Sequence, residues 1–344
     1  MRAGGFLVGL LLAVSAACAA QAASITTSDP PVATLADGRT GTIAFEALTP
    51  RSARQLVLGK TTEKSVIAGV LTLPASAQAA RPAAKVPAMV VVHGSSGVLQ
   101  NDWEWAKRIN ELGIATFVID NFTGRGVKEV ATDQSLLSPA ADAAGALAAL
   151  SLLATDPAID PKRIGVIGFS RGGSAAINTA LEPIRRAVIH GDLRFAAHVA
   201  LYPGCAVPFV SARLDGSPML MLLGGKDDYT PASFCLRYAD ELRESGASIT
   251  AAVYPDANHA FDSKTPPHFR PQPMTVRNCH GQIDLDDGGL TLEKDNQSVT
   301  GKEAYAELKA CIEHGVTVGG DPEAREKAPH DVSDFLRPIF GLPP

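Results

Sequence analysis

The sequence lacks several features that mark particular classes of partner. Lys and Arg form no runs, charged residues make up 19% of the 344 residues, and the formal net charge is −5. Nucleic-acid and anionic-membrane partners are therefore not expected, because both attract concentrated positive charge. No internal repeat is visible, whereas hydrophobic residues reach 46%, which is enough for a large core. A small neutral or weakly charged substrate fits this composition better.

No apolar run reaches the roughly 20 residues that a membrane-spanning helix needs. The N-terminal stretch instead has one Arg, an apolar run from Phe6 to about Ala17, and Ala20-Gln21-Ala22 as an A-x-A cleavage site. This pattern predicts a signal peptide over residues 1–22 and an exported protein, periplasmic or secreted. A lipoprotein attached through Cys18 is less favoured, because the aliphatic residue three positions before that cysteine is missing.

The cysteines show no C-x-x-C pattern of a metal or redox site. Removal of the signal peptide leaves Cys205, Cys235, Cys279 and Cys311. An even number in an oxidising compartment favours disulfides, and three pairings are possible. We favour Cys205 with Cys235 and Cys279 with Cys311, because each pair is close in sequence; four buried thiols are the alternative.

Metal-ligand patterns are also missing. The eight histidines have no metal-ligand spacing among them. The acidic cluster of Asp284, Asp286 and Asp287 lacks an EF-hand pattern, since Gly288 lies where a ligand is needed. We therefore expect no metal and no cofactor.

From residue 86 onward, apolar segments of strand length alternate with longer helical patterns, as in parallel strands joined by helices. Segments such as MVVV lack polar alternation, which is typical of strands covered on both faces. The sequence thus predicts an α/β fold with a doubly wound, mostly parallel sheet flanked by helices. The predicted strands are 41–48, 64–74, 88–94, 114–120, 163–169, 196–203, 218–225 and 249–255.

Residues 23–344 are expected to form one domain. The Pro- and Asp-rich segment at about 263–300 is interpreted as a long loop or small excursion within it. Two further helices are predicted near 302–314 and 329–340.

The stretch RIGVIGFSRGGS, residues 163–174, predicts a catalytic nucleophile. A strand delivers Ser170 into a sharp turn and a helix follows at once, which is the setting of a nucleophilic serine in a G-x-S-x-G motif. Gly168, Gly172 and Gly173 have no Cβ to obstruct the close passage of strand and helix. The turn also raises the hydroxyl above the carboxyl ends of the strands, where open α/β sheets bind ligands.

A serine hydroxyl needs a base, and the base needs an orienting acid. Asp227 follows the predicted strand PMLMLLGG, and His259 follows the strand ITAAVYP. The chain order Ser170, Asp227, His259 is that of α/β hydrolases. His93 also ends a strand but is interpreted as structural.

Together, VVVHGSSG, GFSRGG, GGKDDYTP and YPDANHAFD resemble the α/β-hydrolase superfamily, in particular its dienelactone hydrolase-like family, over about residues 64–262. The resemblance implies an α/β-hydrolase fold. It places the acid at the end of a G-x-x-D pattern, which favours Asp227 over the adjacent Asp228. It also points to the Ser95 amide as one oxyanion donor, beside the Arg171 amide that directly follows the nucleophile.

The family's namesake has a cysteine nucleophile and a glutamate after the first core strand, where this chain has Ser170 and Gly94. We therefore expect carboxylic esters or lactones of small molecules as substrates, cleaved through an acyl-enzyme. A peptidase or amidase with the same triad, and a non-catalytic exported binding protein, are the alternatives. The Arg171 side chain could bind an acidic group of the substrate, but an ion pair on the surface of the helix is the favoured interpretation. Four aromatic residues could line an acyl pocket or could be packing residues: Trp103, Trp105, Phe122 and Tyr229.

Overall fold

The centre of the molecule is an eight-stranded sheet with strand order β1-β2-β4-β3-β5-β6-β8-β9. The computed structural model describes residues 23–75, 77, 85–286, 289–295 and 297–343, so the predicted signal peptide lies outside the described residues. β1 pairs antiparallel with β2 and β2 antiparallel with β4, while all later neighbours are parallel. The strands of this sheet are β1 Gly41–Leu48, β2 Lys64–Thr72, β3 Val86–Val92, β4 Ala115–Asp120, β5 Ile159–Phe169, β6 His198–Leu201, β8 Met219–Gly224 and β9 Ile249–Tyr254.

Helices cover both faces of the sheet, which confirms the predicted fold class. They are α1 Ala53–Val57, α2 Gln100–Glu111, α3 Pro139–Leu153, α4 Arg171–Asn178, α5 Glu182–Val188, α6 Ala232–Glu244, α7 Gly301–Ala310 and α8 Pro322–Phe340. Most buried residues of α3 belong to one hydrophobic cluster, and the buried apolar residues of α2 and α8 belong to a second. α3 is apolar on almost every side, and it is buried accordingly.

The last helix begins seven residues before its predicted start. Asp321 caps it by accepting a hydrogen bond from the Ala324 amide at 2.8 Å, and Pro322 occupies the first turn. Pro329 lies inside the helix. Proline is disfavoured at such an interior position, because its ring removes a backbone hydrogen bond.

The segment predicted as a loop or small excursion contains several strands. β10 His268–Thr275 pairs antiparallel with β14 Glu313–Val318. A second small sheet has the order β13-β12-β11-β7, formed by Gln297–Thr300, Leu290–Lys294, Gly281–Asp284 and Phe209–Val210. The helix predicted to continue to 314 ends at Ala310, and the unpredicted β14 follows it.

Both favoured disulfides are present, with Cys205 joined to Cys235 and Cys279 joined to Cys311. The first joins the loop after β6 to α6. The second lies beside the small four-stranded sheet, against Leu290, Leu292 and Ala304. Within the described part of the chain, no helix has the length and hydrophobicity to cross a membrane.

Candidate active site

Ser170 lies in the turn between β5 and α4, with backbone angles φ 55° and ψ −119°. A side chain with positive φ is uncommon, and the strain persists only where the surroundings hold it. Here the Ser170 amide donates to the Leu201 carbonyl at 2.9 Å, which fixes the turn to the neighbouring strand. The side chain therefore projects from the carboxyl edge of the sheet, as the G-x-S-x-G context predicted.

The glycines around Ser170 allow backbone segments to touch. A Cβ added to Gly168 would lie 2.0 Å from the carbonyl oxygen of Gly172, and one added to Gly172 would lie 2.2 Å from that of Val92. Either contact would force the backbone apart. The two glycines are thus required by the close passage of α4 against β3 and β5.

The structure brings Ser170, His259 and Asp227 together from three separate loops. His259 Nε2 is 2.9 Å from Ser170 Oγ, and His259 Nδ1 is 2.8 Å from Asp227 Oδ2. All three residues are buried. When Nδ1 donates to the carboxylate, Nε2 presents its lone pair to the hydroxyl. This arrangement can remove the hydroxyl proton from Ser170.

Asp227 is held by its own loop. Its Oδ1 accepts hydrogen bonds from the Tyr229 and Thr230 amides, both at 2.8 Å. The Thr230 hydroxyl lies 2.9 Å from Asp227 Oδ2, 3.0 Å from His259 Nδ1 and 3.1 Å from the Tyr202 carbonyl. Thr230 was not identified from the sequence, although it lies within the GGKDDYTP motif. Its hydroxyl fixes the carboxylate oxygen that faces the imidazole.

Asp228 points away from His259. Its carboxylate accepts hydrogen bonds from the Thr317 amide at 2.7 Å and the Thr317 hydroxyl at 3.0 Å. Thr317 belongs to β14, so Asp228 fastens the acid loop to the added two-stranded sheet. The geometry favours Asp227 as the partner of the imidazole.

The Ser95 and Arg171 amides lie on either side of the nucleophile and, among the described residues, neither has a hydrogen-bond acceptor. Arg171 directly follows Ser170. Ser95 belongs to the turn after β3, which passes so close that a Cβ on Gly94 would be 3.4 Å from Ser170 Cβ. Free amides beside a nucleophile can stabilise an oxyanion.

The prediction of a surface ion pair at Arg171 is wrong, because its side chain is only 6% exposed. Its Nε donates to Asp142 Oδ2 at 2.6 Å, and its two terminal nitrogens donate to Gln134 Oε1 at 2.8 Å and to the Leu137 carbonyl at 2.5 Å. The closely packed helix α3 covers this face of α4. The sequence alone did not show that contact.

His93 has a structural environment, as expected. Its Nδ1 is 2.8 Å from the Gly94 carbonyl, and its Nε2 is 3.1 Å from the Asn121 amide. Burial lowers the pKa of His93, which keeps the ring neutral, with Nδ1 donating and Nε2 accepting. The ring therefore fastens the turn before Ser95 to the end of β4.

The four aromatic residues that could line an acyl pocket have different roles. Phe122 and Trp105 are buried in hydrophobic clusters, and Trp103 packs partly buried against one of them. Tyr229 contacts the candidate triad, with its ring centroid 4.6 Å from that of His259. Packing therefore accounts for the first three.

A buried polar network centred on Asp262 contacts His259 through the Tyr202 ring. Asp262 accepts hydrogen bonds from Asn101 at 2.7 Å, Trp105 at 2.6 Å and Tyr202 at 2.9 Å. The Tyr202 ring packs on the imidazole with centroids 4.8 Å apart. Burial raises the pKa of Asp262, while its three donors favour the ionised form. No sequence pattern indicated this long-range network.

Asp102 is a second buried carboxyl near Asp262. Its Oδ2 accepts a hydrogen bond from the Leu99 amide at 2.6 Å at the start of α2. Burial raises its pKa to about 7, and the neighbouring Asp262 charge acts in the same direction. Ionisation of Asp102 is therefore costly in the folded state.

The Dienelactone hydrolase family model matches residues 73–279, which is more than half of the chain and includes all five candidate site residues. The chain belongs to the dienelactone hydrolase family. It is accordingly a carboxylic ester hydrolase with the α/β-hydrolase fold.

Within the described residues, no cluster of three or more His, Cys, Asp or Glu side chains could hold a metal ion.

Two curated relatives match parts of this family member. It is 28% identical over 197 residues to a Methylorubrum extorquens protein named "Putative carboxymethylenebutenolidase", covering 54% of this chain and 67% of that protein. It is 26% identical over 125 residues to a Bradyrhizobium sp. protein named "Probable 2-oxo-3-(5-oxofuran-2-ylidene)propanoate lactonase", covering 36% of this chain and 48% of that protein. The second match spans about half the length of the relative.

The solved structure of MGS-M1, an alpha/beta hydrolase enzyme from a Medee basin deep-sea metagenome library, is similar to this chain. Its TM-score is 0.52 at 17% sequence identity, with 88% of this chain and 100% of that chain covered. At this identity the similarity concerns the fold. The structural similarity covers 88% of this chain and so extends beyond residues 73–279, which the family model matches.

Proposed function

We propose that this protein is an exported serine hydrolase that cleaves carboxylic esters or lactones of small molecules through an acyl-enzyme. The observation that carries the proposal is the hydrogen-bonded series Ser170 Oγ, His259 and Asp227, with heavy-atom distances of 2.9 and 2.8 Å. Family membership supplies the reaction class. In this proposal, each side chain of the triad has its own role in the hydrolysis.

In the proposed reaction, His259 Nε2 takes the proton of Ser170 as Oγ attacks the substrate carbonyl carbon. The Ser95 and Arg171 amides stabilise the resulting oxyanion. The protonated imidazole then gives its proton to the departing alcohol, which leaves an acyl group on Ser170. Water, deprotonated by the same imidazole, releases the acid and restores the serine. Asp227 fixes the imidazole tautomer throughout and stabilises its charged form.

Lactones are included because ring opening is the same reaction, except that the alcohol remains attached to the acyl group. The names of the curated relatives include a lactonase. A small-molecule substrate is consistent with the absence of concentrated positive charge. We propose no nucleic-acid partner and no cofactor.

Export and a single domain from 23 to 344 complete the proposal. Two disulfides among the described residues are consistent with an oxidising compartment. The N-terminal pattern of residues 1–22 is that of a signal peptide. Asp228, which bonds β14, and α8, which packs in the same cluster as α2, support one domain.

The test is Ser170→Ala, measured with p-nitrophenyl acetate. We expect turnover to fall to the background rate and labelling by a fluorophosphonate probe to disappear, while the circular dichroism spectrum is retained. Ser151→Ala is the matched control, because within the described part of the chain that residue's exposed hydroxyl bonds only to the Leu147 carbonyl of its own helix. Undiminished turnover in Ser170→Ala would exclude Ser170 as the nucleophile.

A substrate panel then separates the reaction classes. Equal acyl groups presented as p-nitrophenyl esters, lactones and p-nitroanilides would show which leaving groups the site accepts. Higher kcat/KM for anilides than for esters would favour an amidase over the proposed esterase. No turnover and no probe labelling in the unmodified protein would favour a binding protein.

A further inference from the structure

Gln134 connects the two residues whose amides flank the nucleophile. Its Nε2 donates to Ser95 Oγ at 2.9 Å, and its Oε1 accepts from an Arg171 terminal nitrogen at 2.8 Å. Gln134 itself lies in a short 3₁₀ turn, Gln134–Leu136, outside the main sheet. One planar amide therefore spans the gap between the turn after β3 and the start of α4.

The Arg171 end of this connection is rigid. The guanidinium also donates to Asp142 Oδ2 at 2.6 Å and to the Leu137 carbonyl at 2.5 Å, and the Asp142 side chain is only 3% exposed. Buried, charge-assisted hydrogen bonds of this kind hold a side chain in one geometry. Through Gln134, the fixed guanidinium restrains the Ser95 side chain.

The Ser95 end is adjacent to the candidate triad. The Tyr229 ring packs on His259, and the Tyr229 hydroxyl is buried. Burial raises the pKa of Tyr229, and the neighbouring Gln134 and Ser95 side chains oppose that rise. Gln134 therefore lies beside the reacting centre.

An amide side chain can bond both neighbours at once. Its oxygen accepts from the guanidinium, which has donors alone, and its nitrogen donates to the serine hydroxyl. An oxyanion hole depends on the separation of its donors, because a small misplacement weakens the hydrogen bonds to the developing charge.

We propose that Gln134 is a positioning residue that sets the separation of the two oxyanion-hole amides. The proposal rests on the proposed function, since it requires an oxyanion. It predicts that Gln134 contributes to stabilising the tetrahedral intermediate and little to binding the substrate. Its side chain acts through Ser95 and Arg171.

The experiment uses Gln134→Leu, Ser95→Ala and the double variant. Gln134→Leu removes both hydrogen bonds, and Ser95→Ala removes the accepting hydroxyl but keeps the backbone amide. We expect each to lower kcat for p-nitrophenyl acetate about tenfold, with KM changed less than about threefold, because losing a whole donor typically costs about 10² to 10³ in kcat. The double variant is expected to match the single variants, since both break one connection.

The inhibition constant of a trifluoromethyl ketone distinguishes a positioning role from a merely structural one. This inhibitor forms a tetrahedral adduct with an oxyanion, so its inhibition constant should rise by the same factor as kcat/KM falls. The inhibition constant of acetate, which forms no such adduct, should stay unchanged. Ser135→Ala is the control, because among the described residues that exposed hydroxyl bonds only to Asp133 in the same turn.

The outcomes separate this proposal from the one on which it depends. If Ser170→Ala is inactive while Gln134→Leu and Ser95→Ala stay within threefold of the unmodified enzyme, the positioning role is wrong and the serine mechanism stands. Losses that multiply in the double variant would also overturn it. If Ser170→Ala retains full turnover, both proposals fail. Should Gln134→Leu not fold, Ser95→Ala with the ketone decides the result.

Discussion

Replacing Asp227 by Asn tests the orientation of His259 by exchanging one carboxylate oxygen for an NH₂ group. Asp227 Oδ1 accepts two backbone hydrogen bonds, from Tyr229 and Thr230, each at 2.8 Å. An Asn side chain must turn its oxygen toward those two donors, so its NH₂ group would face His259 Nδ1. Nδ1 then becomes an acceptor, and the ring proton moves to Nε2. In that tautomer Nε2 has no lone pair to take the Ser170 proton.

The expected loss follows from that tautomer. In the well-studied serine protease triad, the equivalent change lowers kcat about 10⁴-fold while the geometry is retained. A factor of 10⁴ corresponds to about 5.4 kcal/mol of activation free energy. Here the Thr230 hydroxyl, 3.0 Å from His259 Nδ1, offers an alternative partner for that nitrogen. We therefore expect a loss of about 10³ to 10⁴ in kcat, with KM nearly unchanged.

The assay is kcat and KM for p-nitrophenyl acetate from pH 6 to 9, with thermal unfolding measured in parallel. Asp228→Asn is the matched control, because an amide oxygen can still accept from the Thr317 amide that Asp228 now binds at 2.7 Å. That variant should remain within about threefold. A loss below tenfold in Asp227→Asn, or a larger loss in Asp228→Asn, would refute the reasoning.

Two further predictions concern stability. In Asp102→Asn, the free energy of unfolding should exceed that of the unmodified protein between about pH 4 and pH 7, by up to about 4 kcal/mol. Burial raises the pKa of Asp102 to about 7, so in this range the native state keeps a proton that the unfolded chain has lost. The stability of the unmodified protein therefore falls as pH rises. Guanidinium unfolding at pH 4.5 and 8 measures this, and a pH-independent difference between the proteins would contradict it. Replacing Cys205 and Cys235 together by Ala should lower the free energy of unfolding by about 3 to 4 kcal/mol, since the crosslink closes a loop with a separation of 30 residues. The same unfolding assay checks this loss, and a value below about 1 kcal/mol would show that the bond constrains the unfolded chain little.

Local patterns were sufficient for the nucleophile and for most of the sheet. The turn at Ser170 needs a strand, two glycines and a helix, all within twelve consecutive residues. Asp227 and His259 each follow a strand directly, so the order of strands in the sheet brings them to one edge. The resemblance to dienelactone hydrolases added the choice of Asp227 and the location of Ser95.

The supporting side chains could not be predicted in the same way. Gln134 and Tyr202 act through contacts with residues 37 to 60 positions away. Thr230 contacts His259, 29 positions away, as well as the nearby Asp227. No periodicity relates such pairs. The buried partner of Arg171 was missed for the same reason, because only the packing of α3 on α4 places Asp142 beside the guanidinium.

Residues of the segment that follows His259 hold the catalytic loops without touching the reacting atoms. The Gly319 amide donates to the His259 carbonyl at 2.8 Å, the Thr317 amide to Asp228 at 2.7 Å, and the Thr275 hydroxyl to the Tyr229 carbonyl at 2.8 Å. The two-stranded sheet of β10 and β14 therefore fastens the acid loop and the histidine loop by hydrogen bonds that leave the reacting atoms free. The oxyanion side is fastened through Gln134, Arg171 and α3, but it also touches the same sheet, because the Met274 amide of β10 donates to the Ala131 carbonyl at 2.7 Å and the adjacent Val130 amide donates to the Ser95 carbonyl at 2.8 Å. A change in β10 should thus affect the Ser95 turn as well as the acid loop and the histidine loop.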